Sequence, residues 1–315
     1  MLWRHVAQTQ HCKFMVIAAS LVGFPRRNPA LIARQLFGAL ALLLILQWPA
    51  AAHAKVTLVF GTYSADKPSA MVKQLRPSLD RIAQRTSDIL GEEVEIRLQV
   101  VREYEDGVSL IVSGKVDFAR LGPASYVVAK QRNPELDILA VESKDGANTF
   151  NGVICVRNDS PVTQIGQLKG KSFAFGSSDS TLGRYFSQLA LMRAGVYARD
   201  LMRYEYLGRH DMVGRAVGSG LFDAGALEET TFANMVAGGV PIRALLTFSN
   251  ATRPWVARSG LQPRIRDALR QALLHLNDPA ALQALRFDGF VEGSDANYEP
   301  TRKAMEENPR FFAER

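Results

Sequence analysis

Phe173-Ala174-Phe175-Gly176-Ser177-Ser178-Asp179-Ser180-Thr181-Leu182-Gly183-Arg184 runs a short apolar strand into a hydroxyl-rich turn and on into helical spacing. Ser, Asp and Thr at such a junction cap the first orphan amides of a helix, so the segment reads as the start of a βα unit. The same amides, with the positive end of the helix dipole, favour an anion. Ser180 and Thr181 add hydroxyl donors, and Gly183 lets the backbone approach closely. A plain N-cap explains part of this, but four hydroxyl residues among positions 177–181 exceed what a cap needs.

The same rhythm extends in both directions. Upstream, strands are expected at 56–61, 94–101, 116–121, 136–142 and 152–156, with helices at 70–90 and 104–113 and one opening at Pro123. Downstream come strands at 172–176, 204–207, 222–227 and 242–248, helices at 181–194, 210–218 and 228–237, and a largely helical tail over 263–308. Such alternation predicts an α/β protein with two mostly parallel sheets flanked by helices. Two units, joined by strands near 152–156 and 242–248, form two lobes with a double-crossover hinge and a cleft between them. The expected division is 55–153 for the first part of lobe 1, 154–243 for lobe 2, and 244–315 for the completion of lobe 1.

The formal charge of +7 is concentrated at the start of the 315-residue chain. Residues 1–54 hold Arg4, Lys13, Arg26, Arg27 and Arg34 and no acid, leaving 33 basic against 31 acidic residues in the remainder. A nucleic-acid partner is therefore not indicated. The apolar run Leu36–Leu46 is too short for a bilayer core of about 30 Å. With basic residues before it and Ala50-Ala51-Ala52-His53-Ala54 after it, it reads as a secretory signal peptide cut after Ala54. Cys155 then stands alone in an apolar strand pattern, a buried structural thiol. No His/Cys cluster, P-loop or dinucleotide fingerprint implies a metal or cofactor.

Two further strand-to-helix junctions resemble the first. Phe118 to Tyr126 carries Gly122-Pro123-Ala124-Ser125-Tyr126, whose Gly122 to Ser125 could offer donors. Leu207-Gly208-Arg209-His210-Asp211 puts a histidine at a helix start, where it can donate to an anion or titrate near neutral pH. Glu228 follows a strand end and is a candidate for the cleft, whereas Asp223 reads as structural. Tyr63, Ser64 and Tyr126 are either cleft walls or core, and Trp255 and Phe287 to Phe290 either core or a docking surface.

In order along the chain stand Tyr104 before a helix, Ser113-Gly114-Lys115-Val116-Asp117-Phe118-Ala119, Gly122-Pro123-Ala124-Ser125-Tyr126, Asp159-Ser160-Pro161, Leu168-Lys169-Gly170-Lys171, Asp179-Ser180-Thr181-Leu182-Gly183, His210-Asp211 and Phe222-Asp223-Ala224-Gly225. Together they make the chain resemble the phosphate/phosphite/phosphonate-binding (PhnD-like) family of periplasmic ABC-transporter solute-binding proteins. The resemblance implies a type II-like two-lobed fold and a periplasmic location. It also implies a non-catalytic role, with an oxyanion held by Ser180, Thr181 and His210 and handed to a membrane permease.

Two departures bear on the ligand. Leu182 stands where a third hydroxyl is expected. Arg253, before Pro254, stands where aminoalkylphosphonate binders carry an acid, which argues against an aminoalkylphosphonate and suits phosphate, phosphite, another oxyanion or a ligand with a second negative charge. A periplasmic oxyanion sensor acting on a membrane histidine kinase is the alternative output. A Ser180–His210–Asp223 hydrolase would need the serine within reach of the histidine and the histidine oriented by the acid. The expected state is a monomer.

Overall fold

A computed structural model describes residues 55–63, 68–144, 146–285 and 287–313. The signal-peptide assignment (1–54) and Ser64 lie outside the described residues. None of the described helices is long and apolar enough to cross a membrane.

The first lobe is built on a six-stranded sheet of order β11-β4-β10-β3-β1-β2, comprising β1 (Val56–Tyr63), β2 (Val94–Val101), β3 (Phe118–Arg120), β4 (Asp137–Ser143), β10 (Pro254–Ala257) and β11 (Gly289–Val291). The second lobe has order β7-β6-β8-β5-β9, with β5 (Thr149–Arg157), β6 (Ser172–Phe175), β7 (Arg203–Tyr206), β8 (Ala224–Glu228) and β9 (Ile242–Ala251).

Both sheets are mixed rather than mostly parallel, for a topological reason. Strands joined through helices (β1 with β2 and β3, β6 with β7 and β8) run parallel. The chain leaves the first lobe along β4 and re-enters along the adjacent β10, so the two run in opposite directions; β5 and β9 repeat this in the second lobe. Parallel neighbours need a crossover helix, and a double crossover at one hinge forces antiparallel ones.

On the first sheet, α1 (Pro68–Leu90), α7 (Pro263–Leu274) and α8 (Pro279–Leu285) cover one face. The other face carries α2 (Tyr104–Val112), α3 (Pro123–Arg132) and Tyr298, just before α9 (Glu299–Glu307). α1 shows why: Leu75, Leu79 and Ile82, at helical spacing, are fully buried on its inner face. The second sheet is covered by α4 (Ser187–Arg193) on one face and by α5 (His210–Gly218) and α6 (Glu229–Ala237) on the other.

Strand β11 was not expected from the sequence, and the return strand at Pro254, β10, was expected only from the family resemblance. Trp255, in β10, is core: it stacks on Phe60 at 4.7 Å and meets Phe290 edge-on at 5.2 Å. The hinge also lies later than residue 244. β9 stays in the second sheet to Ala251, and the return into the first begins at Pro254. The extreme C-terminus returns to the second lobe, where α10 (Pro309–Phe312) packs Phe311 against Phe175 and Tyr204.

Candidate functional site

Where β6 ends, residues Thr181–Phe186 form a single π turn that leads into α4. Ser180 is its N-cap, accepting from the Gly183 amide at 2.9 Å. Gly176 and Gly183 explain how the turn sits so close to the strand end. A Cβ on Gly183 would lie 2.8 Å from the Gly176 Cα, so a side chain there would push the turn away. Gly183 itself is absent from the cavity wall among the described residues; its amide serves Ser180 and its role is close packing.

The turn opens into a cavity of about 110 Å³ between the lobes, whose wall includes Ser180, Thr181, Leu182, His210 and Glu228 from the second lobe. From the first lobe come Tyr63, Tyr104, Arg120 and the Gly122-Pro123 turn, and Arg253 comes from the hinge. His210, buried, opens α5 two residues after Gly208, whose φ of 76° lets the chain turn sharply from strand to helix.

Thr181 Oγ1 accepts from the Ala124 amide at 2.9 Å, a bond between the lobes. Tyr63 and Tyr104 stack at 4.2 Å between ring centroids. The Tyr63 hydroxyl accepts from the Gly122 amide at 2.6 Å and pairs with Ser125 Oγ at 2.9 Å, and Tyr104 lines the same cavity as Ser180. Burial pushes both phenols up, so they are neutral hydroxyls.

Beneath the hydroxyls lies a paired charge network. Glu142, fully buried, is bound by Arg120 through two contacts (Nη2 to Oε2 at 3.2 Å, and Nε to Oε1) and by Trp255 Nε1 at 3.1 Å. Arg253 donates to Glu228 Oε2 at 2.6 Å, with its Nη1 3.8 Å from Glu142, and its guanidinium lies 4.8 Å from the Phe150 ring centroid. Burial alone would raise the Glu228 pKa, but the positive charge of Arg253 and the nearby His210 and Arg120 hold it below the ordinary range. Burial opposes the Arg253 charge in the same way, and Glu228 and Glu142 outweigh it, raising its pKa. Two arginines against two glutamates leave this cluster near neutrality, so the second negative charge that the sequence reading offered to Arg253 is already supplied by the protein.

Among the other residues singled out from the sequence, Ser125 is buried behind Tyr63 and absent from the cavity wall. Tyr126 belongs to the core, its ring tilted against Tyr298 at 4.6 Å between centroids and its hydroxyl donating to Asp295 at 3.0 Å. A β-strand end and a helix start look alike in sequence; only the packing separates Tyr63, at the cleft, from Tyr126. Asp223 is structural, accepting from the Ser172 amide and hydroxyl at 2.8 and 2.7 Å, so it does not orient His210 as a triad would require. Sequence reasoning missed Arg120, Glu142 and Phe150, and used Tyr104 only as a landmark. For Tyr104, a tyrosine at a helix start was a usable signal.

The matching family model, described as "ABC transporter, phosphonate, periplasmic substrate-binding protein", spans residues 60–298, most of the chain. The chain belongs to this family. It is 27% identical over 231 residues to a probable ABC transporter phosphite binding protein from Prochlorococcus marinus (68% of this chain, 77% of the relative). To a phosphate-import protein from Mycolicibacterium smegmatis it is 24% identical over 242 residues (72% and 74%). In structure it resembles the Prochlorococcus marinus PhnD1 protein in complex with methylphosphonate, with a TM-score of 0.67, 22% identity, and coverage of 80% of this chain and 97% of that one. The chain is thus a periplasmic, non-catalytic substrate-binding component of an ABC transporter with a two-lobed α/β fold.

Proposed function

We propose that the interlobe cavity captures one small phosphorus oxyanion, such as phosphate, phosphite or a short alkylphosphonate, and that closure of the lobes presents it to the membrane permease. The carrying observation is that four hydroxyl-bearing residues from both lobes, Ser180, Thr181, Tyr63 and Tyr104, line one cavity together with His210. Accepting from Gly183 and Ala124 amides engages lone pairs of Ser180 and Thr181, leaving their protons to donate to an anion. Away from water each such bond is worth more. Arg253, paired with Glu228 and lying between Phe150 and Phe287, supports a ligand without an ammonium arm.

The relatives' names, phosphite-binding and phosphate-import, and the methylphosphonate held by the structural neighbour support this ligand class. Transport rather than kinase signalling is the output that these names favour. We take the monomer, exported through a cleaved leader, as the working unit. Calorimetric titration of residues 55–315 with phosphate, phosphite and methylphosphonate tests the reading. Heat of binding is expected from at least one, and no heat from any of them rejects it.

A further inference from the structure

A carboxylate in the wall of an anion site is a contradiction unless it does something for the anion. Glu228 lines the same cavity as the Ser180 and Thr181 hydroxyls, and Arg253 holds its Oε2 at 2.6 Å. A carboxylate accepts on both oxygens, so Oε1 is a second acceptor on a residue of the cavity wall. Facing this carboxylate are Arg253 from the hinge, His210 from the start of α5, Arg120 from β3 and Tyr104 from α2. Glu142 lies behind Arg253, and neighbouring Glu229 is bound by Asn151 Nδ2 at 3.1 Å. An ionised acceptor beside an anion repels it, except where the anion carries a proton that it can donate.

We propose that Glu228 reads that proton: it accepts a hydrogen bond from the P–OH group of a singly ionised phosphorus oxyanion, and it rejects anions without one. The proposal rests on the phosphorus-oxyanion reading of the cavity and refines it to a protonation state. Phosphite and methylphosphonate monoanions carry one acidic hydroxyl, and their dianions carry none. Methanesulfonate has the shape and charge of the methylphosphonate monoanion but no proton to offer. Without that proton a buried carboxylate and an anion oxygen face each other as two acceptors with no donor between them, which costs enough to discriminate on the order of a hundredfold.

The test is calorimetric titration of residues 55–315 with phosphite, methylphosphonate and methanesulfonate from mildly acidic to mildly basic pH. Affinity for each phosphorus ligand is expected to fall by about tenfold per pH unit above that ligand's own second ionisation, the signature of one proton accompanying binding. The two midpoints then differ as the ligands differ, whereas a titrating protein group such as His210 would give both the same midpoint. Methanesulfonate is expected to bind about a hundredfold more weakly than methylphosphonate. In Glu228→Gln, the amide NH₂ donates to an unprotonated oxygen, so the pH profile flattens and methanesulfonate gains affinity.

A wild-type affinity that stays flat or rises through the ligand's second ionisation overturns the proposal, as does a shared midpoint or equal binding of the sulfonate. These outcomes need no variant, so they decide the matter even if Glu228→Gln folds poorly. With phosphite or methylphosphonate bound, each leaves the phosphorus-oxyanion reading standing. No binding of either ligand at any pH removes that reading and this proposal together.

Discussion

Thr181 Oγ1 accepts a hydrogen bond from the Ala124 amide at 2.9 Å, joining the first helical turn of α3 in one lobe to the π turn of the other. The donor is an orphan amide at a helix start, and the acceptor is a hydroxyl in the cavity wall. One hydroxyl thus ties lobe closure to the place where an anion would be held.

Thr181→Val keeps the shape of the side chain but leaves the Ala124 amide without its acceptor. Ligand affinity is expected to fall by about 1–3 kcal/mol, the cost of a buried group left unpaired. Ser180→Ala should weaken binding similarly and also lower thermal stability, because losing an N-cap costs about 1 kcal/mol. Each variant also loses a bond that is present without ligand, so thermal melts should fall in both; calorimetry on the folded variants measures the loss of affinity, and unchanged affinity in both would contradict the reading.

Arg253 and Glu228 are a mostly buried pair, so removing either charge is not symmetric. Arg253→Ala leaves Glu228 without its ion-pair partner, while Glu142 keeps Arg120, and should destabilise the protein by about 3 kcal/mol. Glu228→Gln, whose amide oxygen can still accept from Arg253, should cost less. Urea unfolding of both variants at neutral pH checks the order.

The depressed Glu228 pKa sets the sign of an acid effect. Its contribution to stability is present above the ordinary glutamate value of about 4.3 and is lost as pH falls through the lower folded-state value. The stability gap between wild type and Glu228→Gln should therefore be constant near neutrality and shrink in acid. Unfolding curves collected down a pH series measure it, and a gap that widens in acid would mean the sign is wrong.

From Lys55 onward, Trp255 is the sole tryptophan. It is fully buried and donates to Glu142, which also binds Arg120 in the cavity wall. Ligand entry that shifts Arg120 should alter the indole hydrogen bond and so the intrinsic fluorescence. Titration of residues 55–315 with phosphite should give a saturable emission change, absent in Arg120→Met.

Cys155 is fully buried in β5, and burial pushes its thiol up to about 12. A thiol-specific reagent should label the native protein only as fast as it opens, and quickly in denaturant. Rapid native labelling would place the sulfur at the surface.

Much of the architecture was readable before any coordinates, because it is local. Strand and helix periods, the cap at Ser180 and the helix starts at Pro123 and His210 each depend on a handful of adjacent residues, and α5 and β2 match their expected limits. Short β11 escaped because three residues carry too little period. β10, four residues opened by Pro254, carries too little period of its own and was placed as a return strand only through the family resemblance.

Ser180, Thr181, His210 and Glu228 were nameable from the one-dimensional order as residues at strand ends and helix starts, where backbone amides are orphaned whatever the rest of the chain does. Tertiary structure decided which of those ends meet. The pairing of Arg120 with Glu142 and of Arg253 with Glu228 comes from strand order, with β10 entering between β3 and β4 and β8 ending beneath the hinge. Strand order is a global choice among packings, made by the burial of whole faces, and no local pattern of residues records it.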